Sequence, residues 1–292
     1  MSDISAKKLS LGTAQFGMDY GIANERGRMP KDSVFKVLEY ASAAGMDTLD
    51  TAYEYGDSEE IIGEYLKNSN NRFKIISKMP KANGSMDDPV SYFPKSLKRL
   101  KQDKIHGYLV RDSEIAGYEE LYKKLLVLKK DGLIEKIGLS LYTTDSLDQI
   151  LRLDLPVDIL QAPYNIFDRR FERYFPALRA RGVDIHTRSV FLQGLFFLNE
   201  KRIAKDFTTA SLAISQLRGV SSGCGVPIAA LCLSFVMLNS NIDKVIIGVD
   251  SLDQLKENVD SLKYVGKVQQ LGDSLNALEL EKEEIILPYT WK

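Results

Sequence analysis

The chain has 292 residues, 44% hydrophobic and 27% charged, with a formal net charge of -1. This is ordinary globular composition, and the near-neutral balance gives no electrostatic footprint for nucleic acid or an anionic membrane. Two cysteines, Cys224 and Cys232, make neither a disulfide framework nor a metal-ligand spacing, the opening MSDISAKK has no apolar signal region, and no run approaches the roughly 18 apolar residues of a membrane span, so a cytoplasmic protein is expected.

Short apolar runs alternate with helix-period segments from end to end. A first strand, Leu9–Gln15, precedes a helix over Asp32–Ala44, whose Val34, Val37, Leu38 and Ala41 fall at i, i+3, i+4 and i+7. Strands follow at Met46–Ala52, Phe73–Met79 and Ile105–Arg111. A helix over Tyr118–Lys130 turns Leu121, Leu125 and Leu128 inward and stops at Gly132. Further strands read at Glu135–Tyr142, Asp158–Tyr164, Asp184–Val190 and Lys244–Val249. The last helix, Ser251–Leu262, opens on a Ser251/Gln254 capping signature.

Strict alternation at intervals of roughly 25–35 residues implies a parallel sheet, and eight such units point to a closed (β/α)8 TIM barrel. No G-x-G-x-x-G follows the first strand, which counts against a doubly wound sheet. Residues 1–292 read as one barrel domain, with a long insertion at about 191–225 and a C-terminal tail at about 264–292. An insertion of that kind after a barrel strand usually covers a site.

Active sites of such barrels sit at the C-terminal strand ends. Strand two ends Asp50-Thr51-Ala52 and runs into Tyr53-Glu54-Tyr55-Gly56. Strands three to six end at Lys78, Arg111-Asp112, Ser140 and Gln161 through Asn165. Tyrosine, with an ordinary pKa near 10, holds its proton too tightly at pH 7, and an adjacent ammonium lowers that value. A carboxylate behind the lysine keeps it charged and oriented. Proton donation by such a phenol complements hydride delivery to a carbonyl carbon.

The stretch L-D-T-A-Y-E-Y-G-D-S-E-E-I-I-G, Leu49 to Gly63, resembles the signature of the aldo/keto reductase superfamily. The likeness extends over Leu11-Gly12-Thr13, Lys78, Gly138-Leu139-Ser140, Gln161 and Gly248 through Asn258. It implies a barrel enzyme that interconverts a carbonyl and an alcohol with NAD(P)H, acting on a small molecule. By that resemblance Tyr55 is the proton donor, Lys78 tunes it and Asp50 holds Lys78. The fourth catalytic position, normally histidine, is Arg111 here; His106 begins the same strand and faces the opposite end of the barrel. Arginine is always charged and only donates, so Arg111 polarises the substrate oxygen or binds a substrate carboxylate.

The resemblance also implies cofactor contacts. Gly12 and Thr13 lie at the first strand end; Ser140, Gln161 and Asn165 hold the nicotinamide amide, and Tyr164 or Arg188 stacks on its ring. Ser189, Phe191, Gln193 and Gly194 cross the pyrophosphate. Gly248, Asp250, Ser251, Gln254, Glu257 and Asn258 surround the adenosine end. Two carboxylates in Gly248 to Gln254, with no base before Lys256, favour NAD(H) slightly over NADP(H). Tyr20, Tyr142 and Trp291 are placed at the substrate pocket.

Blander readings stand beside these. Arg111 pairs structurally with Asp112 or Glu114, His186 is a satisfied core histidine, and Asp250 is a helix-start charge. Tyr53 and Tyr65 pack, as do the cysteines. A nicotinamide-binding sensor or auxiliary subunit is the alternative to an enzyme, and two poorly placed histidines set aside a metal-dependent hydrolase.

Overall fold

The computed structural model describes residues 5–81 and 88–291. Eight parallel strands close into a barrel in sequence order: β1 (Leu9–Gly12), β2 (Thr48–Asp50), β3 (Lys74–Lys78), β4 (Ile105–Arg111), β5 (Ile134–Ser140), β6 (Ile159–Pro163), β7 (Asp184–Arg188) and β8 (Lys244–Gly248). Every strand lies where the apolar runs predict it. The expected ends overshoot by up to three residues, because chain that has left the ladder keeps its apolar pattern into the loops above.

The outer ring consists of α1 (Lys31–Ala43), α2 (Ser58–Lys67), α3 (Phe93–Leu100), α4 (Tyr118–Lys130), α5 (Thr144–Leu153), α6 (Phe175–Ala180), α7 (Ile228–Leu238) and α8 (Leu252–Asp260). In α1 the four residues at helical spacing, Val34, Val37, Leu38 and Ala41, are the buried ones. α4 stops before Gly132, whose φ of +73° suits glycine. The Ser251 hydroxyl accepts the Gln254 N–H at 3.2 Å and caps α8. α8 ends at Asp260, short of the expected Leu262, where Ser261 Oγ bonds back to the Glu257 carbonyl and the chain tightens into a 3-10 turn.

Alternation along the strands decides which side chains meet inside. Ile76, Leu109 and Ile159 form a separate apolar cluster within the barrel, and a Cβ on Gly107 or Gly138 would run into it. One alternation higher on the same faces come Lys78, Arg111, Ser140 and Gln161. Asp50 pairs in register with Gly12, and Gly12 with Gly248. The polar layer at the mouth therefore rests on a dry plug, and the main apolar core lies outside it, between strands and helices.

The segment between β7 and α7 contains a 3-10 turn (Leu192–Phe197) and helices at Glu200–Asp206 and Ser211–Cys224. These pack with the tail residues Ile285 and Ile286 into a second apolar cluster around Phe167 and Phe196. Among the described residues, no single helix is long and apolar enough to cross a membrane, and no group of three or more His, Cys, Asp or Glu is placed to hold a metal ion.

Candidate active site

A chain of buried hydrogen bonds crosses the barrel mouth. Lys78 Nζ donates to Asp50 Oδ1 at 2.6 Å and to the Thr51 carbonyl at 3.0 Å. Gln161 Nε2 donates to the other oxygen of Asp50 at 2.6 Å, and Ser140 Oγ donates to Gln161 Oε1 at 3.3 Å. The Lys78 and Asp50 side chains are 4% and 6% exposed. A pair so far from water is retained only where each charge has its partner. Burial lowers the Lys78 pKa and Asp50 opposes that shift.

Above this pair stands Tyr55, with Lys78 Nζ 5.2 Å from its ring centroid. Its pKa is raised above the usual 10, first by removal from water and then by Asp50 and Tyr142; the charges of Arg111 and Arg188 oppose the rise. The sequence led us to expect a lowered value. The cations act in the expected direction, but desolvation outweighs them. The phenol thus keeps at neutral pH the proton it would donate.

Arg111 does not pair with Asp112 or Glu114. Its Nη1 donates to Glu54 Oε2 at 2.6 Å, across from the β2 exit. Glu54 Oε1 accepts the Lys81 N–H at 3.0 Å, so one carboxylate joins the exits of β2, β3 and β4. Asp112 instead receives the Tyr142 N–H. Arg188, from β7, lies 4.0 Å over the Tyr142 ring and donates to the Leu141 carbonyl at 2.8 Å and to Ser189 Oγ at 3.3 Å. His106 is at the opposite end, 2.7 Å from Glu135.

Much of the signature is scaffold. Ser58 Oγ donates toward the carbonyl and hydroxyl of Thr13 and lies 3.2 Å from Thr51 Oγ1. Glu59 Oε1 accepts the Ser77 hydroxyl at 2.7 Å. Gly56 has φ +54°, and a Cβ there would strike the Gly17 carbonyl; one on Gly17 would strike the Tyr55 carbonyl. This glycine-to-glycine contact fixes the loop that carries Tyr55.

A cavity of about 350 Å³ runs from Asp50 and Tyr55 to Glu257 and Asn258. Gly12, Thr13 and Gly248 line it, with the Gln15 amide packed against Gly248 and Ile246 against Gly12. Tyr20, Arg188, Ser189 and Phe191 line one wall, with Gln193 and Gly194 beyond; Asp250 and Gln254 close the far end. The roof is a meeting of loops: Ile22 N–H donates to the Gln193 carbonyl at 3.0 Å, and Gly194 abuts Ala23. Burial raises the Asp250 pKa, while hydrogen bonds from Gln254 and Gln15 and the charge of Arg26 oppose that.

Several expected site residues lie elsewhere. Asn165 is fully buried, its oxygen taken by the Phe167 and Asp168 N–H groups and its nitrogen by the Ser189 carbonyl; it shapes the loop rather than facing the cleft. Tyr164 points away, against Phe175 and Phe235, with its hydroxyl on Glu172, which leaves Arg188 as the stacking candidate. Trp291 packs on Phe207 and donates to the Glu284 carbonyl, outside the cavity lining. Tyr142 stands between Arg188 and Tyr289. Ser251 lines a neighbouring cavity that shares Asp250. His186 is buried, but its Nδ1 has no partner among the described residues.

Other lining residues went unseen in the sequence. Gln15, Asn24 and Ala229 reach the cavity from the short helix Ala14–Gly17, a loop and the start of α7. The cavity beyond Asp250 gathers Arg26, Arg28 and Lys36, although the β8 exit itself has no nearby base; Arg28 is held by Asp57 at 2.7 Å. No motif marks these positions, because folding alone brings residues 26–36 beside 250–252.

A model described as the aldo/keto reductase family matches residues 8–283. An uncharacterized oxidoreductase of Bacillus subtilis is 24% identical, over 97% of this chain and 92% of its own. An NADH-specific methylglyoxal reductase of Escherichia coli is 23% identical over 89% of this chain and 91% of its own. A holo-form aldo-keto reductase from Bacillus halodurans has the same fold, with a TM-score of 0.67 at 21% identity, covering 90% of this chain and 91% of its own.

Proposed function

The chain belongs to the aldo/keto reductase family, oxidoreductases that act on carbonyls, and from that premise we propose that it interconverts a small aldehyde, ketone or sugar-type carbonyl and its alcohol with a nicotinamide dinucleotide. The observation that carries this reading is the buried Asp50–Lys78 pair beneath the ring of Tyr55, at one end of an elongated cleft. Tyr55 holds the proton for the carbonyl oxygen. Lys78 supplies a fixed positive charge under the phenol, and Asp50, braced by Gln161, keeps that charge in place. Arg111 adds a second cation that stabilises charge developing on the oxygen.

The cleft suits the dinucleotide. The capped start of α8 offers N–H groups and a dipole to phosphate. Arg188 lines the Tyr55 end of the cleft, whereas Ser140 and Gln161 stand behind Asp50, buried and outside the lining. Ser189, Phe191, Gln193 and Gly194 border the middle, and Asp250, Gln254, Glu257 and Asn258 the adenosine end. When bound, the nicotinamide supplies or accepts the hydride. At the adenosine end the Asp250 carboxylate repels a ribose phosphate and accepts from a ribose hydroxyl, which favours NAD(H).

Tyr55→Phe tests the assignment. Carbonyl reduction is expected to fall by about a hundred- to ten-thousandfold, while titration with NADH, read by nicotinamide fluorescence, stays near the wild-type value. Wild-type turnover in the variant overturns the mechanism. Tight cofactor binding with no turnover of a carbonyl panel by the unmodified protein overturns the enzymatic reading and leaves a nicotinamide sensor.

A further inference from the structure

Arg111 stands at the end of β4, one alternation above the interior Leu109 and in register with Ser140 at the barrel mouth, and one arm of its guanidinium is already engaged. Its partner Glu54 lies one residue before Tyr55 and meets Arg111 at 2.6 Å, with side chains 35% and 16% exposed respectively. The second oxygen of Glu54 is fixed by Lys81 N–H. Neither charge is free to turn away cheaply: the carboxylate is anchored from two sides, and the arginine is three-quarters or more withdrawn from water.

A carboxylate next to a reacting carbonyl needs a cation within reach of Tyr55. Lys78 is committed to Asp50, and Arg188 is tied to a tyrosine face, a carbonyl and a hydroxyl. Arg111 has the fork geometry that binds carboxylates, and Glu54 holds one N–H of that fork, on Nη1. Building on the carbonyl-reducing reading above, we propose that Glu54 is a specificity-determining residue: it holds Nη1 of Arg111, sets a negative charge beside the remaining N–H groups, and so favours carbonyl compounds without a carboxylate beside the reacting carbon. It touches no reacting atom and acts through Arg111. A 2-oxo acid would have to share the guanidinium with an anchored carboxylate, bringing its own negative charge beside it.

The probe is oxamate, a stable mimic of a 2-oxo acid, titrated calorimetrically into the NADH-loaded protein and into the protein alone. Glu54→Gln keeps the shape and removes the charge; it should bind oxamate about tenfold tighter or more than wild type, the worth of one charge-assisted hydrogen bond. Glu54→Ala should show the same gain, and Glu54→Asp should stay near wild type. Adding Arg111→Met to Glu54→Gln should abolish the gain. The ratio of kcat/KM for pyruvate to that for methylglyoxal should rise in Glu54→Gln by a similar factor, mainly through KM for pyruvate. Unchanged oxamate affinity in both Glu54→Gln and Glu54→Ala, or a gain that survives loss of Arg111, overturns the proposal. Failure of the wild type to turn over either carbonyl would instead strike the enzymatic reading, while the oxamate titrations still decide the role of Glu54.

Discussion

The two ends of the cleft are built differently. Around Tyr55 the site is made of side chains on strand ends and on the loop after β2, locked in charged pairs: Lys78 with Asp50, Arg111 with Glu54, each at 2.6 Å. Around Asp250 it is made of loop backbone, a capped helix start and a neutral partner: Gln254 Oε1 accepts the Asp250 N–H at 2.7 Å and its Nε2 lies 3.4 Å from the carboxylate. Rigid strands give the precision that proton transfer needs, while loops leave room to accommodate a long ligand. The first end should therefore respond to substitution through stability and chemistry together, and the second through binding alone.

The sharpest test of the locked end is Lys78→Met. It leaves the Asp50 carboxylate buried without its cation, and we expect a loss of about 3–5 kcal/mol in urea unfolding. A variant as stable as wild type would mean that Gln161 suffices to hold Asp50, and the contrast between the ends would lose its basis.

A second test lies just beneath that layer. Burial lowers the pKa of His186 to about 3, against about 6.5 in an unfolded chain. Between these values the unfolded chain binds a proton that the folded barrel refuses. The stability is therefore full above pH 6.5 and falls as the pH drops toward 3, by about 1.4 kcal/mol per unit. Urea midpoints at pH 6.5 and 4.5 should separate in wild type and converge in His186→Met. Equal separation in both would place the acid sensitivity elsewhere.

The smallest effect belongs to the loop end. Asp250→Asn should strengthen NADPH binding several-fold, as expected for a half-exposed charge worth about 1 kcal/mol or less, with unfolding midpoints unchanged. If NADPH already binds wild type better than NADH, then Arg26 and Lys36, rather than Asp250, govern the adenosine end.

The same division governs what could be read from the amino-acid order. All eight strands were legible because each is a short apolar run between helical segments; Asp50 and Lys78 end two of those runs, whereas Tyr55 stood out among fourteen tyrosines only through the resemblance carried by Leu49 to Gly63. Arg111 was legible as a departure, but Glu54 as its partner was not: the two are 57 positions apart and meet only because β2 and β4 flank β3. Asn165 misled for a related reason. Its position at a strand end was right, but the turn above β6 consumes its polar atoms. Gln15 and Asn24 reach the cleft, and Arg26 the neighbouring cavity, from a short helix and a loop whose course no periodicity encodes.

The roof over the cleft has a consequence for time rather than affinity. Ser189, Leu192 and Gln193 are non-glycine residues held at φ values of +64°, +47° and +53°, each at a cost on the order of 1 kcal/mol or more. A hydrogen bond from Ile22 N–H to the Gln193 carbonyl spans the gap, worth about 1 kcal/mol. Breaking it would free a turn held at strained angles, so we expect substitutions at Gln193 to change the rate at which a nicotinamide dinucleotide is released more than its affinity, which stopped-flow fluorescence would read.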